Sequence, residues 1–298
     1  MKNRKYNSVT AIAIIEAICL FATKSSYIAV AWWVLSDSSP LSFAITIATS
    51  ELAESFFMPI LSPIIDRYKS ISIVKFSIAI NFFVSLTLAM NYDREFRLAM
   101  LILILLSVML IALSSAARNL GMQKYIASMN PNFVTDCVAT RTSIRSVMTI
   151  IGPAMGGLLT WFGGIRPIFF LESILCLFAI MFIQYSWSAK KDEIMCGQYG
   201  GRSSYMRELF DGFLAIVRIK TEFGIGILSA GINFAISPFF SIVVPAYVVS
   251  GARQLNASHL GIIDSSFGVG ILIGTVFFCH LSLVFLVNFF AYLLETYY

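Results

Sequence analysis

SPIIDRYKS, at residues 62–70, is a short charged connection between two long apolar segments. The flanking segments extend over about residues 41–65 and 71–90. Each contains the roughly 20 apolar residues that a helix needs to cross a hydrocarbon core of about 30 Å. Because Lys and Arg concentrate in short cytoplasmic loops, Arg67 and Lys69 indicate a cytoplasmic turn between two membrane helices.

The composition of the whole chain agrees with this interpretation. Of its 298 residues, 58% are hydrophobic and 12% are charged, and the mean hydropathy is +0.83. An average soluble domain has about 25% charged residues. The sequence therefore predicts an all-α polytopic membrane protein, partnered by the lipid bilayer, with eight or nine spans and no room for a soluble domain.

The apolar runs predict eight membrane helices, at about residues 9–36, 41–65, 71–90, 98–120, 138–162, 167–187, 223–250 and 260–278. A Gly163-Gly164 turn joins the fifth helix to the sixth. Residues 281–294 are apolar but short, and three interpretations of them stay open: a ninth span, a half-buried tail or an unrelated end.

Residues 188–222 form the longest polar segment. Within it, Leu209, Phe213, Ile216 and Val217 fall on one helical face, which predicts an amphipathic helix on the membrane surface. The predicted domains are an N-terminal six-helix bundle (residues 1–187), a cytoplasmic linker (188–222) and a partial C-terminal bundle (223–298).

The distribution of Lys and Arg predicts the orientation. With a cytoplasmic N-terminus, sixteen of these residues fall on the cytoplasmic side and four on the other. This count places Arg118, Lys124, Arg141 and Arg145 in or near cytoplasmic connections. The excess predicts a multi-pass protein of the cell inner (plasma) membrane with its N-terminus in the cytoplasm.

Three charged residues fall near the middle of predicted helices. Lys24 in the first helix and Glu51 and Glu54 in the second lie at similar depth, and the two glutamates share a face because they are three residues apart. A charge at the bilayer centre costs about 2.5–3.5 kcal/mol or more unless it is paired or hydrated. We therefore expect Lys24 to pair with Glu51 or Glu54, either as a structural ion pair or in handling substrate or protons.

Glu16 lies about 12 Å from Lys24 along the first helix, at 1.5 Å per residue. No partner for it is evident in the sequence, so we expect it to be the leading group for binding and releasing protons. A lipid-facing, permanently protonated Glu16 is the alternative. Glu172 lies about five residues into the sixth helix, close enough to the far surface to be simply hydrated, and is a weaker candidate.

The fifth helix contains IGPAMGGLL at residues 151–159. Gly152 and Gly156 form a GxxxG face for close helix contact, and Pro153 removes a backbone hydrogen bond and bends the helix. With Gly157, these residues predict either a flexible interface between two bundles or static packing.

No enzyme motif is present in the sequence. It lacks HExxH, GxSxG and P-loop patterns, and we predict a protein that is not an enzyme and has no cofactor, metal site or nucleic-acid partner. Gly268-Val269-Gly270 lies in an apolar span, where small residues serve helix packing rather than dinucleotide binding. Five cysteines without CxxC spacing indicate core residues rather than disulfides or metal ligands.

Two motifs resemble those of one family. DRYK at residues 66–69 resembles the loop between the second and third helices of the major facilitator superfamily, and IGPAMGGLL resembles the antiporter motif of its drug exporters. Six spans, a linker and the proline-containing segment Pro245-Ala246-Tyr247 follow the same order of parts. The chain is most similar to exporters of macrolides and of catecholate siderophores.

The resemblance implies a proton-driven exporter of a small amphipathic molecule. Glu16, Lys24, Glu51 and Glu54 would line the substrate or proton pathway. The cytoplasmic gate would be formed by Asp66, Arg67 and Lys69, and the flexible interface of the fifth helix by Gly152, Pro153, Gly156 and Gly157.

The family has twelve spans in two halves, whereas this sequence predicts eight or nine. Two explanations stay open: a truncated and inactive transporter, which we favour, or a short form that completes itself by association. The alternative function is a non-transporting membrane remnant or assembly partner. A membrane-embedded enzyme is disfavoured because no cluster of acid–base or metal-ligating residues is evident.

Overall fold

The computed structural model describes residues 2–92, 98–129, 131–188, 210, 214, 217–250 and 255–274. In these residues all regular structure is helical, and eight helices are long and apolar enough to cross a membrane. The prediction of an all-α, multi-pass membrane protein is therefore confirmed, and the described residues contain eight of the predicted eight or nine spans. The predicted linker helix and the ninth-span candidate at residues 281–294 lie outside the described residues, apart from a few linker positions.

The first six helices are α1 (Lys2–Asp37), α2 (Pro40–Asp66), α3 (Ser70–Asn91), α4 (Leu98–Ala127), α5 (Pro131–Gly163) and α6 (Arg166–Ser188). They are followed by α7 (Lys220–Pro238), a π-helical segment (Phe239–Val243), α8 (Val244–Ser250) and α9 (Ala257–Gly274). The helical stretch from Phe223 to Val249 counts as one candidate span.

Local sequence signals explain two of the turns. Ser39 precedes α2 with an extended backbone, and its hydroxyl accepts a hydrogen bond of 3.2 Å from the backbone N–H of Ser42, while Pro40 occupies the first helical position. Gly164 has a φ of 82° between α5 and α6, a conformation that favours glycine. The Gly163-Gly164 turn predicted from the sequence is thus confirmed.

Two predicted helix ends were wrong, and both errors concern the same connection. α4 continues to Ala127 rather than ending near residue 120, and α5 begins at Pro131 rather than near residue 138. In the added turn of α4, Lys124 binds carbonyl oxygens at the end of α2, and Pro131 suits the first position of α5. Lys124, predicted in a polar connection, is therefore a helical residue, and Arg118, Arg141 and Arg145 lie within α4 and α5 rather than near their ends.

The helices pack around α1, which contacts α5 on one side and α6 on another, while α3 lies against α4 and α6, and α2 against α4. Two hydrophobic clusters occupy the two ends of this bundle. One contains Ile12, Ile15 and Ile183, and the other contains Trp33 and Phe169. Between them lies a buried layer of polar side chains: Ser25, Ser26, Asn81, Ser85, Ser114, Glu172 and Ser173.

The outer surface of the bundle is apolar. Large hydrophobic side chains such as Leu52, Phe56, Phe76, Phe83 and Phe178 are more than half exposed. Contiguous exposed apolar surface of this kind is unusual in a soluble monomer but expected where helices face lipid tails. Together with the eight candidate spans, it makes the lipid bilayer the natural surroundings of this protein.

Candidate functional site

Glu16 is buried and ion-paired. Its side chain is 3% exposed, and Arg141 donates a hydrogen bond of 3.1 Å from Nε to Glu16 Oε1. Arg145 Nη1 lies 3.8 Å from the same oxygen. The expectation that Glu16 lacks a partner was wrong because α5 packs against α1 and places both arginines beside Glu16, a pairing of helices that the sequence does not show. Its role in proton handling stays a prediction, but the argument from isolation no longer supports it.

Asn119 on α4, which the sequence analysis did not single out, completes this group. Its Oδ1 accepts hydrogen bonds from Arg141 Nη2 at 2.5 Å and from Arg145 Nη1 at 3.2 Å. We call Glu16, Asn119, Arg141 and Arg145 the arginine cluster. A shared acceptor holds the two guanidinium groups side by side, so their positions are fixed before any ligand arrives.

The two arginines of this cluster, Arg141 and Arg145, line a cavity of about 630 Å³ between α4, α5 and α9. Its polar lining residues are Gln123, Arg141, Thr142, Arg145, Ser146 and Thr149. The remaining lining is apolar or glycine, including Ile126, Val138 and Leu272. A cavity of this size with a few converging polar groups is typical of small-molecule sites.

Lys24 does not pair with Glu51 or Glu54, so that prediction was wrong: neither carboxylate forms an ion pair with it. Lys24 instead interacts electrostatically, at longer range, with Glu51 and with Asp264 on α9. Asp264 was missed, although it is an acidic residue in a predicted span like Glu51. We call Lys24, Glu51, Glu54 and Asp264 the lysine cluster: Lys24 interacts with Glu51 and Asp264, and Glu54 interacts with Glu51.

Glu172 is buried rather than hydrated. It is 1% exposed, and its carboxylate interacts with the hydroxyl groups of Ser26 and Ser85, although neither contact has the geometry of a full hydrogen bond. Arg118 on α4, itself 6% exposed, interacts with it electrostatically. The expectation of a surface-accessible Glu172 was wrong because the neighbouring helices α1 and α3 cover this part of α6.

The loop predicted as a gate is held by a residue that was not part of the prediction. α2 ends at Asp66, and Lys124 of α4 donates hydrogen bonds from Nζ to the carbonyl oxygens of Ile65, Asp66 and Tyr68, at 3.0, 2.7 and 2.9 Å. A lysine ammonium at the C-terminal end of a helix binds carbonyl oxygens there and interacts favourably with the helix dipole. The gate role of Asp66, Arg67 and Lys69 remains a prediction.

Replacing Lys124 with glutamine is expected to loosen the α2–α3 loop, because three backbone carbonyls lose a charged donor. Trypsin should then cleave after Arg67 or Lys69 several times faster in purified protein, as followed by mass spectrometry. Lys75→Gln on α3 is the matched control, since Lys75 does not contact the loop carbonyls that Lys124 binds. Equal cleavage rates in the two variants would contradict this capping role.

The glycines of α5 bring two helices into close contact. A Cβ atom at Gly152 would lie 2.6 Å from Lys24 Cβ, and one at Gly156 would lie 2.6 Å from Ser25 Cα, both on α1. On the opposite side, a Cβ at Gly157 would lie 2.6 Å from the carbonyl oxygen of Ala257 on α9. α5 is therefore packed tightly between α1 and α9. The role of these residues as a flexible interface stays a prediction.

Polar contacts reinforce both sides of α5 near Pro153. Ser25 Oγ donates to the carbonyl oxygen of Gly152 at 3.1 Å, and Ser265 Oγ of α9 donates to that of Ile150 at 2.7 Å. Pro153 has no N–H to bond the carbonyl of Thr149. Gly268 packs against that carbonyl, since a Cβ atom on this glycine would lie 3.2 Å from the oxygen. These contacts hold α1, α5 and α9 together, and the three helices carry residues of both the arginine cluster and the lysine cluster.

The other candidates for chemistry are few. Cys19, Cys137 and Cys176 are buried, as predicted for core residues, whereas Cys196 and Cys279 lie outside the described residues. Over the described ranges, no three His, Cys, Asp or Glu residues are grouped closely enough to hold a metal ion. The sequence matches no protein-family model, and a search of curated proteins finds no similar one.

Proposed function

We propose that this membrane protein is a secondary transporter of the major facilitator type that exports a small amphipathic molecule at the expense of a proton gradient. The family part of this proposal rests on the resemblance of residues 66–69 and 151–159 to two motifs of that superfamily. A transporter of this kind places its substrate site at the interface between helix bundles, near the middle of the membrane.

The observation that carries the proposal is the cavity of about 630 Å³ between α5 and α9, bordered by charged residues inside candidate spans. Ionisable residues within membrane spans are expensive and commonly mark substrate or ion pathways. The cavity supplies the space for a small molecule, and its apolar walls suit an amphipathic one.

The lysine cluster is the better candidate for proton coupling than Glu16. Glu16 is compensated by two arginines, whereas Lys24 is the one cation among the described residues that interacts with Glu51 and Asp264, and Glu54 adds a third carboxylate beside Glu51. An excess of carboxylates over cations in a membrane protein favours the binding of protons. Because Lys24 packs on α5 and Asp264 lies on α9, proton binding there would change the packing beside the cavity.

Proton-driven efflux tests the proposal. Cells expressing the chain should export a labelled macrolide or catecholate siderophore faster than cells with an empty vector, and an uncoupler should abolish the difference. No efflux despite membrane insertion, checked by blotting, would favour a non-transporting membrane protein or assembly partner instead.

Neutralising Asp264 is expected to remove proton coupling while substrate transport itself continues. In proteoliposomes, Asp264→Asn should abolish efflux driven by a pH gradient while substrate exchange at equal pH continues, because exchange needs no net proton movement. Asp37→Asn, at the exposed end of α1, is the control. Equal loss of both activities in Asp264→Asn would count against a coupling role.

A further inference from the structure

The cavity between α4, α5 and α9 has a positive wall. Arg141 and Arg145 are the charged residues among its lining residues in the described part of the chain. They share the single carboxylate of Glu16, so one unit of positive charge remains uncompensated by an ion pair within that part of the chain.

The two arginines differ in how accessible they are. The Arg141 side chain is 9% exposed and is committed to Glu16 and Asn119. The Arg145 side chain is 45% exposed and hydrogen-bonds Asn119 through Nη1 alone. The remaining N–H groups of Arg145 are free to bind a ligand, and a guanidinium binds carboxylate, sulfonate or phosphate oxygens in a bidentate geometry.

The rest of the cavity suits an apolar body. Ile126 of α4, Val134 and Val138 of α5, and Ile271 and Leu272 of α9 form its walls. In such surroundings the attraction between a guanidinium and an anion is screened less than in water, whereas a ligand cation would meet repulsion from the two arginines.

We propose that this cavity binds amphipathic anions, with Arg145 pairing with the acidic group of the ligand and the apolar walls holding its hydrocarbon or aromatic body. That the ligand is an export substrate rests on the proposed function. The inference adds that this substrate is an anion. An anionic lipid headgroup has the same chemistry, so the experiment must distinguish the two sources.

Binding of two probes with the same ring and opposite charge tests the inference. The purified full chain in phosphatidylcholine nanodiscs should bind 2-naphthoate at least about tenfold more tightly than 2-naphthylmethylamine in equilibrium dialysis. Arg145→Gln should remove this preference, and Arg145→Glu should reverse it. Arg166→Gln, at the start of α6 and outside the cavity lining, should leave it unchanged.

Equal affinity for the two probes, or equal loss of preference in Arg145→Gln and Arg166→Gln variants of normal elution profile, would overturn the inference. If added phosphatidylglycerol displaces naphthoate from the wild-type protein, the anion site is confirmed and a lipid is its occupant. Binding of naphthoate without its transport in proteoliposomes would refute the proposed function and keep the anion site. Transport of the amine but not of naphthoate would refute the anion site and keep the proposed function.

Discussion

Replacing Gly156 with leucine is expected to prevent the protein from being purified as a folded monodisperse species. A Cβ atom at this position would lie 2.6 Å from Ser25 Cα and 2.7 Å from the Ser25 carbonyl oxygen, and both belong to the backbone of α1. No side-chain rotation relieves such a contact, so α1 and α5 must separate. Separation removes the bond from Ser25 Oγ to the Gly152 carbonyl and disturbs the Glu16–Arg141 pair.

Replacing Gly156 with alanine tests the same backbone contact with a smaller side chain. Overpacking typically costs about 1–3 kcal/mol, and here the backbone contact places Gly156→Ala at the upper end of that range. In an open helix the same change stabilises by up to about 1 kcal/mol. Gly226→Ala in α7, where a Cβ meets nothing within 4 Å, is the control. Thermal unfolding in detergent should show a lower midpoint for Gly156→Ala and no decrease for Gly226→Ala; equal midpoints would contradict the close packing.

The spans and the glycine turn were predictable from the sequence because both depend on local signals. A run of about 20 apolar residues defines a membrane helix whatever surrounds it. Gly164 marks a backbone conformation that other residues adopt rarely. The helix ends at Ala127 and Pro131 were not predictable in this way, since polar residues continue both helices and Lys124, in the last turn of α4, binds carbonyl oxygens at the end of α2.

The pairing of the charged residues could not be obtained from depth alone. Counting 1.5 Å per residue gives the height of Lys24 and Glu51 but not the direction in which each side chain points around its helix. Lys24 interacts with both Glu51 and Asp264, and Glu16 pairs across α1 and α5. These arrangements depend on which helices are neighbours, and this follows from tertiary packing.

Glu172 shows a related limit. Its position near the start of α6 gives its distance from the predicted membrane surface, but access to water depends on what covers the side chain. α1 and α3 pack on α6 and leave Glu172 1% exposed. A residue close to the surface along the helix can thus be fully buried in the bundle.

Neutralising Glu16 is expected to destabilise the protein strongly. Glu16→Gln leaves Arg141, whose side chain is 9% exposed, without its carboxylate partner. Removing one member of a buried ion pair typically costs about 3–5 kcal/mol, because the other charge stays buried and uncompensated. For a chain of this size, the midpoint of thermal unfolding should fall by roughly 10 °C, as measured by tryptophan fluorescence or by size-exclusion chromatography after heating.

A second substitution distinguishes the loss of the pair from any other effect at Glu16. The double variant Glu16→Gln/Arg141→Gln should regain more than half of the lost stability, because the charge it leaves without a carboxylate partner, on Arg145, is 45% exposed and hydrated rather than buried. The coupling between Glu16 and Arg141 then appears in the double-mutant cycle. Asp37→Asn is the control: this carboxylate lies at the exposed end of α1, so neutralising it leaves no buried charge behind and the midpoint should change little. Additive losses in the double variant, or similar losses in Glu16→Gln and Asp37→Asn, would show that the arginine cluster does not depend on Glu16. In that case Glu16 would again be available as a proton-binding residue.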